Sequence, residues 1–139
     1  MVFFLDEGGE FPIPRDALWK FLSNNEVHRA AHSSRRNLTV QSEGPSTRTL
    51  RMEALLDGSW VPIANRITMF PPLGMVSEML EGPFAGSRVF SFYVPRGATT
   101  EARIVGELAS STLDAPHLEA AYREFLEQAY REDREALEH

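Results

Sequence analysis

Few side chains in this sequence combine a reactive type with a setting that chemistry can use. Arg66 comes first, because it interrupts the apolar and small run Trp60-Val61-Pro62-Ile63-Ala64-Asn65. A guanidinium in such surroundings can stabilise developing negative charge without losing a proton. The commoner alternative is a solvent-facing arginine on the outer face of a sheet, paired with a glutamate of the next strand; a one-residue slip in register decides between them. Tyr93 and Glu78, with Ser91 and Thr68, could supply hydrogen bonds inside a cavity, and a carboxylate buried among apolar groups would titrate closer to neutrality. An exposed Glu78 would do neither. His28 and His32 stand four residues apart on an expected helix, the spacing that lets two imidazoles reach one metal. No third ligand accompanies them, so a solvated pair is expected, with no metal and no cofactor. His117 is expected at the surface. No Ser/His/Asp set, phosphate-binding loop or dinucleotide fingerprint is present, which leaves covalent hydrolysis and nucleotide chemistry without support.

The elements that must position these residues follow from periodicity. Residues 1–12 alternate around Gly8-Gly9 and read as one edge-type strand, bulged at the glycines. Pro14, Asp16 and the spacing of Leu18, Trp19, Phe21 and Leu22 predict a short helix over about residues 15–23. Asn24 or Asn25 can cap a second, with Val27, Ala30 and Ala31 on one face, ending near Ser33-Ser34. From Arg36 to Ser111 the period becomes two, punctuated at Gly44-Pro45, Asp57-Gly58, Pro71-Pro72, Gly82-Pro83 and Gly97, which predicts an antiparallel meander. Asp114, Pro116 and a Leu113/Leu118 staple then open a long helix whose apolar face carries Leu118, Ala121, Tyr122, Phe125 and Ala129. Helices confined to the chain ends around a meander predict an α+β fold with one sheet face covered.

With 139 residues, 42% hydrophobic and 24% charged, the chain suits one domain with one core. Leu137-Glu138-His139 resembles a vector-encoded tag junction, so the domain is expected over residues 1–136. A formal charge of −6 argues against nucleic acid or an anionic membrane as the main partner. The absence of cysteine excludes disulfides and thiolate metal sites. No apolar run reaches the roughly 18 residues of a membrane span, and the opening MVFFL is followed at once by Asp6 and Glu7 rather than by a signal-peptide core. A cytoplasmic protein without stable membrane insertion is expected.

Several stretches resemble the START-like, or polyketide cyclase/dehydrase, superfamily. Phe11-Pro12-Ile13-Pro14 followed by Ala17-Leu18-Trp19-Lys20-Phe21-Leu22-Ser23-Asn24 is similar to its opening strand and first helix. Glu81-Gly82-Pro83-Phe84-Ala85-Gly86-Ser87 resembles its middle hairpin, and the likeness continues through Phe90 to Tyr93 and the turn at Gly97. The resemblance implies a helix-grip fold, in which a curved antiparallel sheet of six to seven strands wraps a long C-terminal helix, with two short helices after the first strand. It also implies an apolar cavity between sheet and helix. In the aromatic polyketide cyclases of that superfamily, the stretch resembling residues 60–66 carries a pocket arginine that polarises a polyketide carbonyl. This would give Arg66 a catalytic role, with Tyr93 or Glu78 as partner, in a cyclase or dehydratase. Departures weaken that implication: Ala64 stands where those enzymes carry a hydroxyl, and the last helix shows no His/Asn set.

The preferred expectation is therefore binding of a small hydrophobic molecule, such as a lipid, polyketide or aromatic metabolite, with catalysis as the alternative. Trp60, Phe70, Met52, Met69, Met79, Phe84, Phe90, Phe92, Tyr122 and Phe125 are the candidate cavity residues, since soft thioethers and flat rings adapt to varied apolar guests. A third expectation is a protein-interaction surface on the outer sheet face, built from Val61, Ile63, Ile67 and Val105; such a patch would equally serve a homodimer.

Overall fold

The computed structural model describes residues 2–6, 9–24 and 32–138. The second short helix expected after the first, with His28, falls on residues 25–31 and lies outside them. The elements run β1 (Val2–Asp6), β2 (Glu10–Phe11), α1 (Arg15–Ser23), β3 (Arg35–Ser42), β4 (Thr47–Leu56), β5 (Ser59–Phe70), β6 (Gly74–Glu81), β7 (Arg88–Arg96), β8 (Thr99–Leu108) and α2 (Ala115–Leu137). All strands belong to one antiparallel sheet in the order β1-β8-β7-β6-β5-β4-β3. The eighth strand beyond the expected seven is two-residue β2, which also pairs with β8, so the opening segment divides into two pieces instead of forming one bulged strand. Consecutive hairpins build β3 to β8. At β4–β5 the two-residue turn Asp57-Gly58 has φ of 49° and 78°, the left-handed pair that matches strand twist in a tight hairpin.

Period-two alternation separates two faces. Val2, Phe4, Met52, Ala54, Ile63, Met79, Val89, Ile104 and Leu108 point to the concave side, where α2 adds Leu118, Tyr122 and Phe125. Tyr122 sits at the hub, its ring edge-on to Phe4 at 5.3 Å and to Phe84 at 5.1 Å. Each such aromatic pair contributes about 0.5–1.5 kcal/mol beyond area burial. A second cluster joins Phe11, Leu18, Leu22, Tyr93 and Ala102, seating α1 on the β7–β8 end of the sheet. Leu137 packs against this cluster, so α2 runs one residue past the expected domain end with its side chain engaged.

α2 is capped by Asp114, whose carboxylate accepts from the His117 backbone N–H at 3.1 Å, with Pro116 in the first turn. Its 23 residues make a rod of roughly 35 Å. Polar contacts tie it down along its length. Arg123 reaches Asp6 at 2.8 Å while lying 4.7 Å over the Phe4 ring. The Tyr130 hydroxyl donates to the Glu10 carbonyl at 2.6 Å, and a side chain at Gly9 would collide with the Tyr130 ring. The last tie is the densest. Glu132 accepts from the Ser34 hydroxyl at 2.7 Å, the Ser34 N–H at 3.0 Å, the Ser33 hydroxyl at 3.1 Å and His32 Nδ1 at 2.9 Å. His32 Nε2 lies 2.9 Å from Asp133, so one imidazole bridges two carboxylates.

This latch is pH-dependent. Burial pulls the His32 pKa down, but the hydrogen bond and charge of Asp133, joined by Glu132, outweigh it and raise the value above 6.5. Burial pushes Glu132 up, but its bonds from Ser34 and His32 outweigh that and hold it below 4.5. A raised histidine stabilises fully below its unfolded value and loses that contribution as pH rises through the folded one; a lowered carboxylate stabilises above its unfolded value and loses it as pH falls. The latch therefore contributes most between pH 4.5 and 6.5. Thermal unfolding should show wild type exceeding His32→Ala by about 2 kcal/mol in that window, with the gap narrowing as pH rises through the raised His32 value. A gap independent of pH would show that folding leaves the His32 pKa unshifted, and a gap that shrinks as pH falls would show that His32 is held neutral in the folded protein. Tyr122→Ala should cost about 3–5 kcal/mol, measured by denaturant titration, because it empties the hub of the core.

Candidate functional site

α2 spans the concave face without filling it, and among the described residues a cavity of about 320 Å³ lies between helix and sheet. Its floor is a strip of inward side chains from β4, β5, β6 and β7, among them Leu50, Met52, Ile63, Ile67, Met75 and Val89; Tyr122, Phe125 and Leu126 of α2 form the roof. A smaller space of about 180 Å³ shares Ser91 and Leu126 with it and reaches Tyr93 and Asp133. Another, of about 210 Å³, shares Phe125 and lies against Phe84 and Leu113.

Polar groups enter the main cavity from two directions. Asn65 and Ser77 occupy facing strands on its floor, the Ser77 hydroxyl donating to Asn65 Oδ1 at 2.7 Å. Arg35 and Arg36 stand toward one end of the β3–β4 ladder, with His32 beside them on the lining, and Arg48 stands toward the other end. The Arg35 guanidinium lies 4.4 Å over the Phe125 ring and donates to the Ser34 hydroxyl at 2.7 Å. Burial lowers its pKa, against the pull of Glu132 and Asp133, and burial likewise lowers that of Arg48. Arg48 also reaches the Leu22 carbonyl at the end of α1, at 3.5 Å. The cavity is thus an apolar chamber with a neutral hydrogen-bonding spot on its floor and arginines at both ends of its β3–β4 side.

The expected site residues separate by face. Met52, Tyr122 and Phe125 line the main cavity. Met79 and Phe84 are buried in the core, Phe84 bounding the third space. Met69 pairs with Met75 on the inward side of the β5–β6 ladder, beyond the cavity lining. Trp60 faces outward beneath the Arg36 guanidinium, 4.1 Å from its ring centre. Phe70, Phe90 and Phe92 require correction: they are 52%, 39% and 42% exposed on the outer face. Alternation that turns Val89 and Ser91 toward α2 turns Phe90 and Phe92 away.

Arg66 also requires correction. Asn65 and Ile67 point into the cavity, so Arg66 points out, where its Nε donates to Glu43 at 3.0 Å. Glu78 is its cross-strand neighbour on that face, 3.7 Å from Arg88. Of the three candidate catalytic residues only Tyr93 faces inward, bordering the 180 Å³ space, and burial raises its pKa away from any role as a base near neutrality. The outer patch expected from Val61, Ile63 and Ile67 is overturned by the same alternation, since Ile63 is 3% exposed and Ile67 lines the cavity. Arg48 and Asn65 had a signal in the sequence, lying on the inward alternations Arg48-Leu50-Met52 and Ile63-Asn65-Ile67. The His32–Glu132 contact, spanning 100 residues, had none. Among the described residues no group of three or more His, Asp or Glu side chains could hold a metal. No helix there is long and apolar enough to cross a membrane.

No protein-family model and no curated protein matches the sequence. Solved structures do match the fold. A START superfamily protein from Mycobacterium smegmatis superposes with a TM-score of 0.78 at 14% identity, over 99% of this chain and 96% of that one. The Zhui aromatase/cyclase from Streptomyces sp. R1128 gives 0.74 at 12% identity, over 98% and 89%. Ara h 8.0201 gives 0.77 at 8% identity, over 98% and 97%. Likenesses at such low identity concern architecture alone. The chain has the START-like helix-grip fold, a curved antiparallel sheet closed by a long C-terminal helix.

Proposed function

We propose that the chain binds a small, mainly apolar molecule in the cavity between sheet and α2, with an electron-rich or anionic group of the guest turned toward Arg48. The observation that carries this reading is the chamber itself: an apolar floor and roof with Asn65 and Ser77 on the floor and arginines along the β3–β4 side. Its volume of about 320 Å³ sits at the lower end of the roughly 300–1,000 Å³ typical of ligand pockets. That favours a compact aromatic or polyketide-sized guest over a two-chain lipid. Arg48 suits recognition, because a guanidinium presents several donors in a fixed plane and keeps its charge.

Binding is preferred to cyclase chemistry on geometric grounds. Proton transfer needs a base within hydrogen-bond reach of the guest. Glu132 and Asp133, the acids beside Arg35, are engaged by His32 and Ser34, and Arg66 faces the other way.

Two fluorescent naphthalenes test the reading, anionic 1-anilinonaphthalene-8-sulfonate and neutral N-phenyl-1-naphthylamine. Both should brighten on binding wild type, and Met52→Trp, which fills the floor, should abolish the effect while the fold is retained by circular dichroism. Arg48→Leu should weaken the anionic probe about tenfold, roughly 1.4 kcal/mol, with little change for the neutral one. Arg66→Ala should change neither. Binding that survives Met52→Trp would place the probes elsewhere and remove the basis for the proposal.

A further inference from the structure

Among the described residues six large apolar side chains are exposed, and five of them, Phe3, Leu5, Phe70, Phe90 and Phe92, lie on the outer face of the sheet. Strand register arranges that face in rows. One runs Leu5, Val105, Phe90, Val76, Thr68 across β1, β8, β7, β6 and β5. Beside it on one flank runs Glu107, Arg88, Glu78, Arg66, alternating in sign and neutral in sum. On the other flank runs Arg103, Phe92, Gly74, Phe70. Phe90 and Phe92 stack with planes 7° apart, forming a flat aromatic plate at the centre.

We propose that this face is the contact surface of a homodimer, docked about a two-fold axis that runs along the strands between β6 and β7. Such an axis reverses each row against itself. Arg88 then meets the second copy's Glu78, and Glu107 meets its Arg66, so an alternating row of four becomes fully complementary to its own reversal. In the central row Phe90 packs on Val76. In the third, Phe92 enters the gap left by the missing side chain of Gly74, and Arg103 comes to lie over Phe70, a cation facing a ring. All three rows are served by one operator, which is what an isologous interface requires. Nucleic acid and anionic membrane are poor occupants, because the three rows together carry only +1 and the chain carries a formal charge of −6. Five strands at about 4.8 Å and three rows about 7 Å apart give a footprint of roughly 500 Å², with rather more accessible surface, approaching the about 800 Å² per partner of a standard interface.

Sedimentation velocity from about 1 to 200 μM reads the outcome directly, with dissociation constants in the tens of micromolar or below expected. Phe90→Glu/Phe92→Glu should be monomeric throughout while still brightening N-phenyl-1-naphthylamine, which separates loss of assembly from loss of the cavity. Should that variant fail to fold, the charge variants decide. Arg88→Glu and Glu78→Arg should each weaken self-association about tenfold, and an equimolar mixture of the two should recover it, because every cross-copy contact is then again between opposite signs. Repair by mixing cannot come from a pair within one chain. Wild type that stays monomeric at 200 μM, a dimer indifferent to Phe90 and Phe92, or charge variants that do not rescue each other would overturn the proposal, as would a different protein occupying the face of a monomeric wild type.

Discussion

A straight helix laid on a curved sheet cannot touch it everywhere. α2 is a rod of roughly 35 Å with one apolar stripe, and the strands beneath it belong to a sheet that curves as well as twists. Contact is tight where Tyr122 meets Phe4 and Phe84, and again where Tyr130 meets Phe11 at 5.0 Å. Between and beside these points the surfaces part, and the three spaces flanking α2 are the result. The helix stays seated although part of its stripe has no close neighbour, because polar ties hold its middle and its far end. Arg123 binds Asp6 on the edge strand, Tyr130 binds the Glu10 carbonyl, and Glu132 gathers the segment leading into β3. Cavity and anchors are thus two sides of one mechanical arrangement.

Those anchors also explain how ionised groups are tolerated beside an apolar chamber. An isolated carboxylate at the position of Glu132 would resist burial, yet it receives hydrogen bonds from three successive residues. Arg35 spreads its cation over the Phe125 ring and bonds Ser34 as well, so its cost of desolvation is offset by aromatic and polar contacts together. The same cluster fixes the C-terminal half of α2 and shapes one polar end of the cavity.

Architecture was legible in the sequence because periodicity and punctuation report on local physics. Asp57-Gly58 can hardly be anything but a hairpin turn, and Asp114 with Pro116 marks a helix start by the groups that lack partners there. The site was less legible. Alternation divides a strand into two faces but does not say which faces the helix, and for β5 both faces carried apolar residues. The presence of Asn65 on the inner face and of Ala64 on the outer reverses the usual polarity cue, since Ala64 is fully buried where the Arg51–Glu81 pair spans its flanking positions. Phe90 and Phe92 mislead in the same way, being large rings on a face without helical cover. The His32 cluster is invisible for another reason: it joins positions about a hundred residues apart, and its members look like ordinary surface groups until the fold brings them together.

The bonded pair on the cavity floor carries one more implication. Ser77 spends its only proton on Asn65 Oδ1, so its own oxygen is left with lone pairs to offer, while the Asn65 amide nitrogen still holds two N–H groups. Neither side chain titrates in the range where the His32 latch gains and loses its charge. Whatever acidity does to the grip on α2, the floor keeps the same adjoining donor and acceptor, a polar element whose character is independent of pH.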